Sequence, residues 1–253
     1  MKWLVIFFAA GTFALAPLAA AGETLTVRAD EWCPYNCAPG AAKPGFGIEI
    51  LKAIFEPKGV TVAYATMDWK QALKETGEGK YGAVIGSFRE DTPGFAVPDE
   101  EFGWNIQIAY VKKGVSWKYT GVGSLPGKKV GRIAGYSIGD GVDEYLAKNP
   151  GQLVEVTGDR SLPQLMRMLL LGEVDVVFED SFVFALKQME LGLADKFQEA
   201  GRMKGIPLYV AFAPGRPESK RYATLFTEGM RELRASKKVA GILKNYGIVD
   251  WKR

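Results

Sequence analysis

The chain has no histidine anywhere in its 253 residues, and only two cysteines. Without imidazole, the common Ser-His-Asp and Cys-His nucleophilic arrangements are excluded. The usual zinc sites go with them, because two thiols are too few. An enzyme on this chain would have to work with Asp, Glu, Lys, Tyr or Arg, and no metal or other cofactor is expected. Charge of one sign is also scarce: the formal net charge is only +3, with no basic run. That argues against nucleic acid or an anionic membrane as partner. After residue 21 there is no second long apolar run, so no membrane span is expected in the rest of the chain.

What is present starts with a leader. Met1 and Lys2 give a short positive start, Trp3–Ala16 is almost wholly apolar, Pro17 breaks it, and Ala19-Ala20-Ala21 supplies small residues for cleavage. This pattern is that of a secretory signal peptide, residues 1–21, cut after Ala21. No Cys follows the apolar core, so a lipid anchor is not indicated. A processed chain would have about 232 residues and a net charge of +2, since only Lys2 is lost. Export to an oxidising compartment follows; the periplasm is what the resemblance given below implies. At 47% hydrophobic and 24% charged residues the composition is ordinary for a globular protein.

The two cysteines lie in Trp32-Cys33-Pro34-Tyr35-Asn36-Cys37. In an exported chain so close a pair is expected to form a local disulfide. A redox-active pair is the alternative, although thioredoxin-type sites have two intervening residues and this one has three.

Further along, apolar runs of period 2 and period 3.6 alternate. Strands are expected at Leu25–Ala29, Val60–Ala65 and Ala83–Gly86, with helices at Phe46–Phe55 and Trp69–Glu75 between them. After Ile106–Lys112 and a Gly-rich stretch the pattern restarts. Strands are expected at Lys129–Ile133, Leu153–Val156, Val174–Phe178 and Pro207–Ala213. Helices are expected at Gly139–Lys148, Leu162–Leu171, Phe182–Leu191, Glu218–Ser236 and Lys238–Tyr246. The β-α-β order predicts an α/β protein of two lobes, each a mainly parallel sheet flanked by helices. Lobe 1 is expected to comprise 22–111 plus 210–253, and lobe 2 to comprise 112–209, with crossings near 110–114 and 207–213. Ligands of such lobes bind at the carboxyl ends of strands.

Several residues there carry chemistry. Gly135-Tyr136-Ser137-Ile138-Gly139-Asp140 lies between a strand and a helix, where free N–H groups can hold a carboxylate or where Ser137 simply caps. Asp180 ends a buried strand; it can pair with an ammonium ion or cap the next helix. In Gly86-Ser87-Phe88-Arg89, Ser87 can donate to a carboxylate and Arg89 can bind one bidentately, or Arg89 can pair with Glu90 or Asp91. Trp32, Tyr35, Phe46, Trp69 and Phe88 fall in or near loops. Phe46 and Trp69 suit either core or site, while Trp32 and Tyr35 read as site walls.

These features together resemble the periplasmic solute-binding proteins of ABC transporters, in the amino-acid-binding family with the type II periplasmic binding fold. The resemblance runs from about Leu25 to Tyr246 and rests on three segments: Gly45-Phe46-Gly47 opening the first helix, Gly172–Asp180 ending in an acid, and the terminal helix Lys237–Tyr246. It implies that Asp180 grips a ligand ammonium and that Ser137 binds an α-carboxylate. The family's carboxylate-binding Arg is missing at its usual spacing after the third strand. Either Arg89 takes over that role, or the ligand is not a standard α-amino acid. The expected function is capture of a small polar ligand, an amino acid or related compound, by hinge closure and delivery to an ABC permease, with the binding protein a monomer. The alternatives are a periplasmic dehydratase or lyase using Asp180, Glu179 or Asp159, and a ligand-sensing partner of a membrane receptor.

Overall fold

A computed structural model describes residues 22–158 and 160–252. The expected signal segment and Asp159 lie outside the described residues. No described helix is long and apolar enough to cross a membrane.

The first unit runs β1 (Glu23–Ala29), α1 (Phe46–Phe55), β2 (Val60–Thr66), α2 (Trp69–Gly77), β3 (Ala83–Ser87) and β4 (Gly103–Asn105). The second runs β5 (Gln107–Lys112), β6 (Val130–Ile133), α3 (Val142–Lys148), β7 (Leu153–Val156), α4 (Ser161–Leu171), β8 (Val176–Asp180), α5 (Ser181–Glu190) and β9 (Phe197–Arg202). The chain then returns through β10 (Ile206–Phe212) to α6 (Ser219–Ala235) and α7 (Lys238–Asn245), which pack on α1. The expected α/β fold of two helix-flanked sheets is what is found.

The two five-stranded sheets are built alike, in the orders β2-β1-β3-β10-β4 and β7-β6-β8-β5-β9. In each, the first three strands are parallel and the fourth pairs antiparallel with both of its neighbours. The fourth strand of each sheet is the one that has just arrived from the other sheet. Both crossings therefore differ from the expectation. β5 belongs to the second sheet, so the first crossing lies at Ile106 rather than at 110–114. β10 belongs to the first sheet from Ile206 onward, so the return lies at 203–205 rather than at 207–213. An apolar run marks a strand but not the sheet it joins, and the adjoining edge strands β4 and β9 were not expected at all.

Strand alternation shows in β8, where Val176 and Phe178 pack into one apolar cluster and Val177 into another. The second sheet is thus buried on both faces, which explains why β8 reads as a continuous apolar run.

Cys33 and Cys37 form the expected disulfide. The loop they close is docked on the start of α1: Phe46 N–H donates to Pro34 O at 3.0 Å and Gly47 N–H to Tyr35 O at 2.9 Å. Gly45, between loop and helix, has φ +102°, and a Cβ there would lie 2.5 Å from Tyr35 O and 2.6 Å from Asn36 Cα. Both obstacles are backbone, so only glycine fits. Gly45→Ala is expected to lose about 1–3 kcal/mol, lowering Tm by about 2–12 °C for a chain of this size. Gly151→Ala is the control: its Cβ meets nothing within 4 Å, and Tm should not move. Equal Tm values for the two variants would show that the loop–helix junction is not held as described.

Candidate functional site

The carboxyl ends of β1 and β3 in the first lobe face the β6–α3 turn and the start of β5 in the second. Between them lies an inner cavity of about 30 Å³, lined by Asp30, Trp32, Asn36, Trp69, Phe88 and Asp91 from the first lobe and by Gln107, Tyr136 and Ser137 from the second. That space holds about two water molecules. A neighbouring cavity of about 50 Å³ shares Asp30, Trp32 and Tyr136 and adds Glu179 and Lys187. A wider outer cleft of about 460 Å³ shares Phe88, Asp91 and Ser137 and adds Arg89 and Tyr209.

Four carboxyl groups hold the lobes together. The Tyr136 hydroxyl donates to Asp30, and the Ser137 hydroxyl to Asp91. In the opposite direction, Trp32 Nε1 donates to Glu179 Oε1 at 2.9 Å and the Tyr35 hydroxyl to Asp180 Oδ2 at 3.0 Å. Burial pushes the Glu179 carboxyl up to about 8 and those of Asp30 and Asp180 to about 6. It also raises Asp91. None of the four is ion-paired among the described residues, and Lys187, which lines the neighbouring cavity, is taken by Glu190 at 2.6 Å.

Of the residues singled out in the sequence, Trp32, Trp69, Phe88, Tyr136 and Ser137 line the inner cavity. Five others do not. Asp180 is fully buried and caps α5, accepting from Phe182 N–H at 2.8 Å and Val183 N–H at 3.3 Å. It also accepts from Ile106 N–H at 3.1 Å, beside the crossing. Its oxygens are thus used by the protein, and capping prevails over ammonium binding. Tyr35 is core, stacked on Trp32 at 4.3 Å, with its hydroxyl also bonded to Trp104 O. Phe46 is core against Tyr35, Phe102 and Tyr246. The Ser87 hydroxyl is buried and donates to Tyr209 O at 3.3 Å, because β10 pairs beside β3. Arg89 lies at the outer cleft, paired with neither Glu90 nor Asp91; its Nη2 donates to Pro98 O at 2.8 Å and its guanidinium stacks 4.4 Å from the Tyr209 ring centre.

The 135–140 turn also differs from expectation. α3 starts at Val142, and the N–H groups of Ile138 and Gly139 donate to Asp143 Oδ2 at 2.9 and 2.8 Å. Arg132 holds the other oxygen of that carboxyl at 2.9 Å. The turn does bind a carboxylate, but one supplied by its own helix.

Sequence reasoning missed Asp30, Asn36, Asp91 and Gln107. Asp30 directly follows β1, and the rule that ligands sit at strand carboxyl ends points to it. Asp91 was seen only as a partner for Arg89. Gln107, at the crossing, carried no signal. It is 6% exposed, and its Oε1 is buried without a hydrogen-bond partner.

The fold has well-matched counterparts among solved structures. A histidine kinase sensor domain with similarity to periplasmic binding proteins aligns with a TM-score of 0.75 and 20% identity, over 90% of this chain and 97% of that one. An ancestral arginine-binding protein bound to arginine gives 0.73 and 22%, over 88% and 98%. The arginine-, lysine-, histidine-binding protein ArtJ from Geobacillus stearothermophilus gives 0.72 and 18%, over 90% and 97%. No protein-family model matches the sequence, and no curated protein matches it. Two lobes of like topology, two crossings and a cleft between strand ends together give this chain the fold of the type II periplasmic binding proteins.

Proposed function

We propose that this protein captures a small polar solute between its lobes by hinge closure at the crossings near Ile106 and 203–205, and delivers it to an ABC permease in the periplasm. The observation that carries the reading is the set of four reciprocal hydrogen bonds around a cavity built by both lobes. Opening the lobes breaks the bonds at Asp30 and Asp91 and admits a ligand; closing removes water and strengthens every polar contact to it. A micromolar affinity needs only about 8 kcal/mol net. The likeness to a sensor domain favours a second reading, in which the same closed form is read by a membrane receptor. An enzyme on this scaffold is disfavoured: Asp180 is wholly engaged in structure, and Glu179 is held by Trp32 and its own backbone neighbour.

A thermal-shift screen of ligand-stripped protein against amino acids, small carboxylates and amines tests capture. Ligand at 100 times its dissociation constant adds about 2.7 kcal/mol, or about 5–11 °C for this chain length. A shift of that size, with a smaller radius of gyration by X-ray scattering, is the expected result. No shift with any class would sink the capture reading, and a compound consumed during incubation would favour the enzyme.

The raised carboxyls add a pH test. Glu179 holds its proton up to about 8 in the folded chain, against about 4.3 when unfolded. The folded state binds more protons between those values, so stability falls as pH rises through them. Asp30, facing Tyr136, Glu31 and Asp68, adds the same trend up to about 6. Ligand-free Tm should therefore fall from pH 5 to pH 8. Glu179→Gln, which can still accept from Trp32, should flatten the upper part of that fall. An unchanged slope in the variant would show that Glu179 does not titrate there.

A further inference from the structure

Resting on the capture reading, we infer that the inner cavity selects a small organic cation with N–H donors and no carboxylate, an amine or guanidine rather than an α-amino acid.

Three groups would be needed to bind a zwitterion, and the chain has used all three itself. The guanidinium of Arg89 is bound to Pro98 O and stacked on Tyr209, outside the inner cavity. The N–H groups of the β6–α3 turn are filled by Asp143. Asp180 caps α5. No Lys or Arg lines the inner cavity, so a ligand carboxylate would meet Asp30 and Asp91 with no cation to offset them.

What remains open suits the opposite charge. Asp30 and Asp91 each take one hydroxyl from the second lobe, and neither has an ion-pair partner among the described residues. Gln107 lines the same cavity with a side chain that is 6% exposed and makes no hydrogen bond among the described residues. Four further walls are aromatic, Trp32, Trp69, Phe88 and Tyr136, and aromatic rings attract a cation to their faces. Burial already raises Asp30 to about 6, the response of a carboxyl that lacks a counter-charge. A cation supplies that charge, the carboxylates accept its N–H groups, and the rings cover its carbon atoms, in a cleft parted at the Tyr136–Asp30 and Ser137–Asp91 bonds beyond the 30 Å³ of the ligand-free form.

Pairs of compounds that differ only in the carboxylate test this: agmatine against arginine, and cadaverine against lysine. Binding to the full processed chain would be measured by calorimetry at pH 7.5. The expected result is that each decarboxylated partner binds at least tenfold more tightly. Asp30→Asn and Asp91→Asn should each weaken agmatine at least tenfold. Neither should lower the ligand-free Tm, since each removes a half-buried charge that has no counter-ion and leaves an amide oxygen to accept the same hydroxyl; a merely structural role for the charge would lower it. Arginine or lysine binding as tightly as its partner would overturn the inference and leave capture standing. So would agmatine affinity unchanged in both variants, or choline, which has no N–H, binding more tightly than agmatine. Absence of binding by every amine, amino acid and carboxylate tried would overturn the capture reading, and this inference with it.

Discussion

Four carboxyl groups are buried or half-buried where the lobes meet, and none is neutralised by a neighbouring cation. Taking an anion out of water costs several kcal/mol unless donors replace the lost hydration. Here each carboxyl draws a donor from the opposite lobe. Asp30 and Asp91 of the first take hydroxyls from Tyr136 and Ser137 of the second, while Glu179 and Asp180 of the second take Trp32 and Tyr35 of the first. A hydrogen bond exchanged for one to water is worth only about 0.5–1.5 kcal/mol. The lobe contacts are therefore specific in geometry but weak in net energy, which suits the proposed opening of the cleft.

These contacts do not behave as one set. The Tyr35–Asp180 bond lies beside the first crossing, where Asp180 also holds Ile106 N–H and Tyr35 holds Trp104 O. The Tyr136–Asp30 and Ser137–Asp91 bonds instead flank the cavity itself, so in the proposed rotation about the crossings they part before the Tyr35–Asp180 bond. The exchange of β5 and β10 sets this arrangement. Each crossing strand is fourth of five in the sheet it joins, next to the parallel strands that end at the cleft. The proposed hinge movement is thereby confined to short segments between paired strands, with the site walls attached to the sheets.

Much of this was legible in the sequence, and the rest failed for identifiable reasons. α1 and β7 were placed to the residue because Pro, Gly and apolar period agree at their ends. β9 was invisible because only Phe197 and Ala200 of Phe197–Arg202 are buried, and β4 because it has only three residues. Lobe membership was misplaced at both crossings, since pairing partners are not local information. Within the site, aromatics next to strand ends were legible, and Trp32, Trp69, Phe88 and Tyr136 do line the cavity. Polar residues were harder. Ser87, Asp180 and the 135–140 turn all have the right chemistry at the right place, yet each is consumed by a backbone group or a side chain that only the folded chain brings near.

That consumption bears directly on what closes the cleft. A buried carboxyl without a counter-ion can be relieved by a proton, by water or by a cation. At pH above about 6 the proton leaves Asp30, and a cavity of about 30 Å³ leaves little room for water. The ligand-free closed form then carries uncompensated negative charge, and opening, which rehydrates the carboxylates, becomes the cheaper relief. A cation reverses the balance. On the proposed reading it gains from a closed form parted just enough to hold it, where carboxylates and aromatic side chains surround it, far more than from the open one, where water competes. A ligand shifts a two-state equilibrium only by its differential affinity for the two states. On the proposed reading, charge of the missing sign supplies that difference, and the same acids that weaken the empty closed state make closure dependent on the ligand.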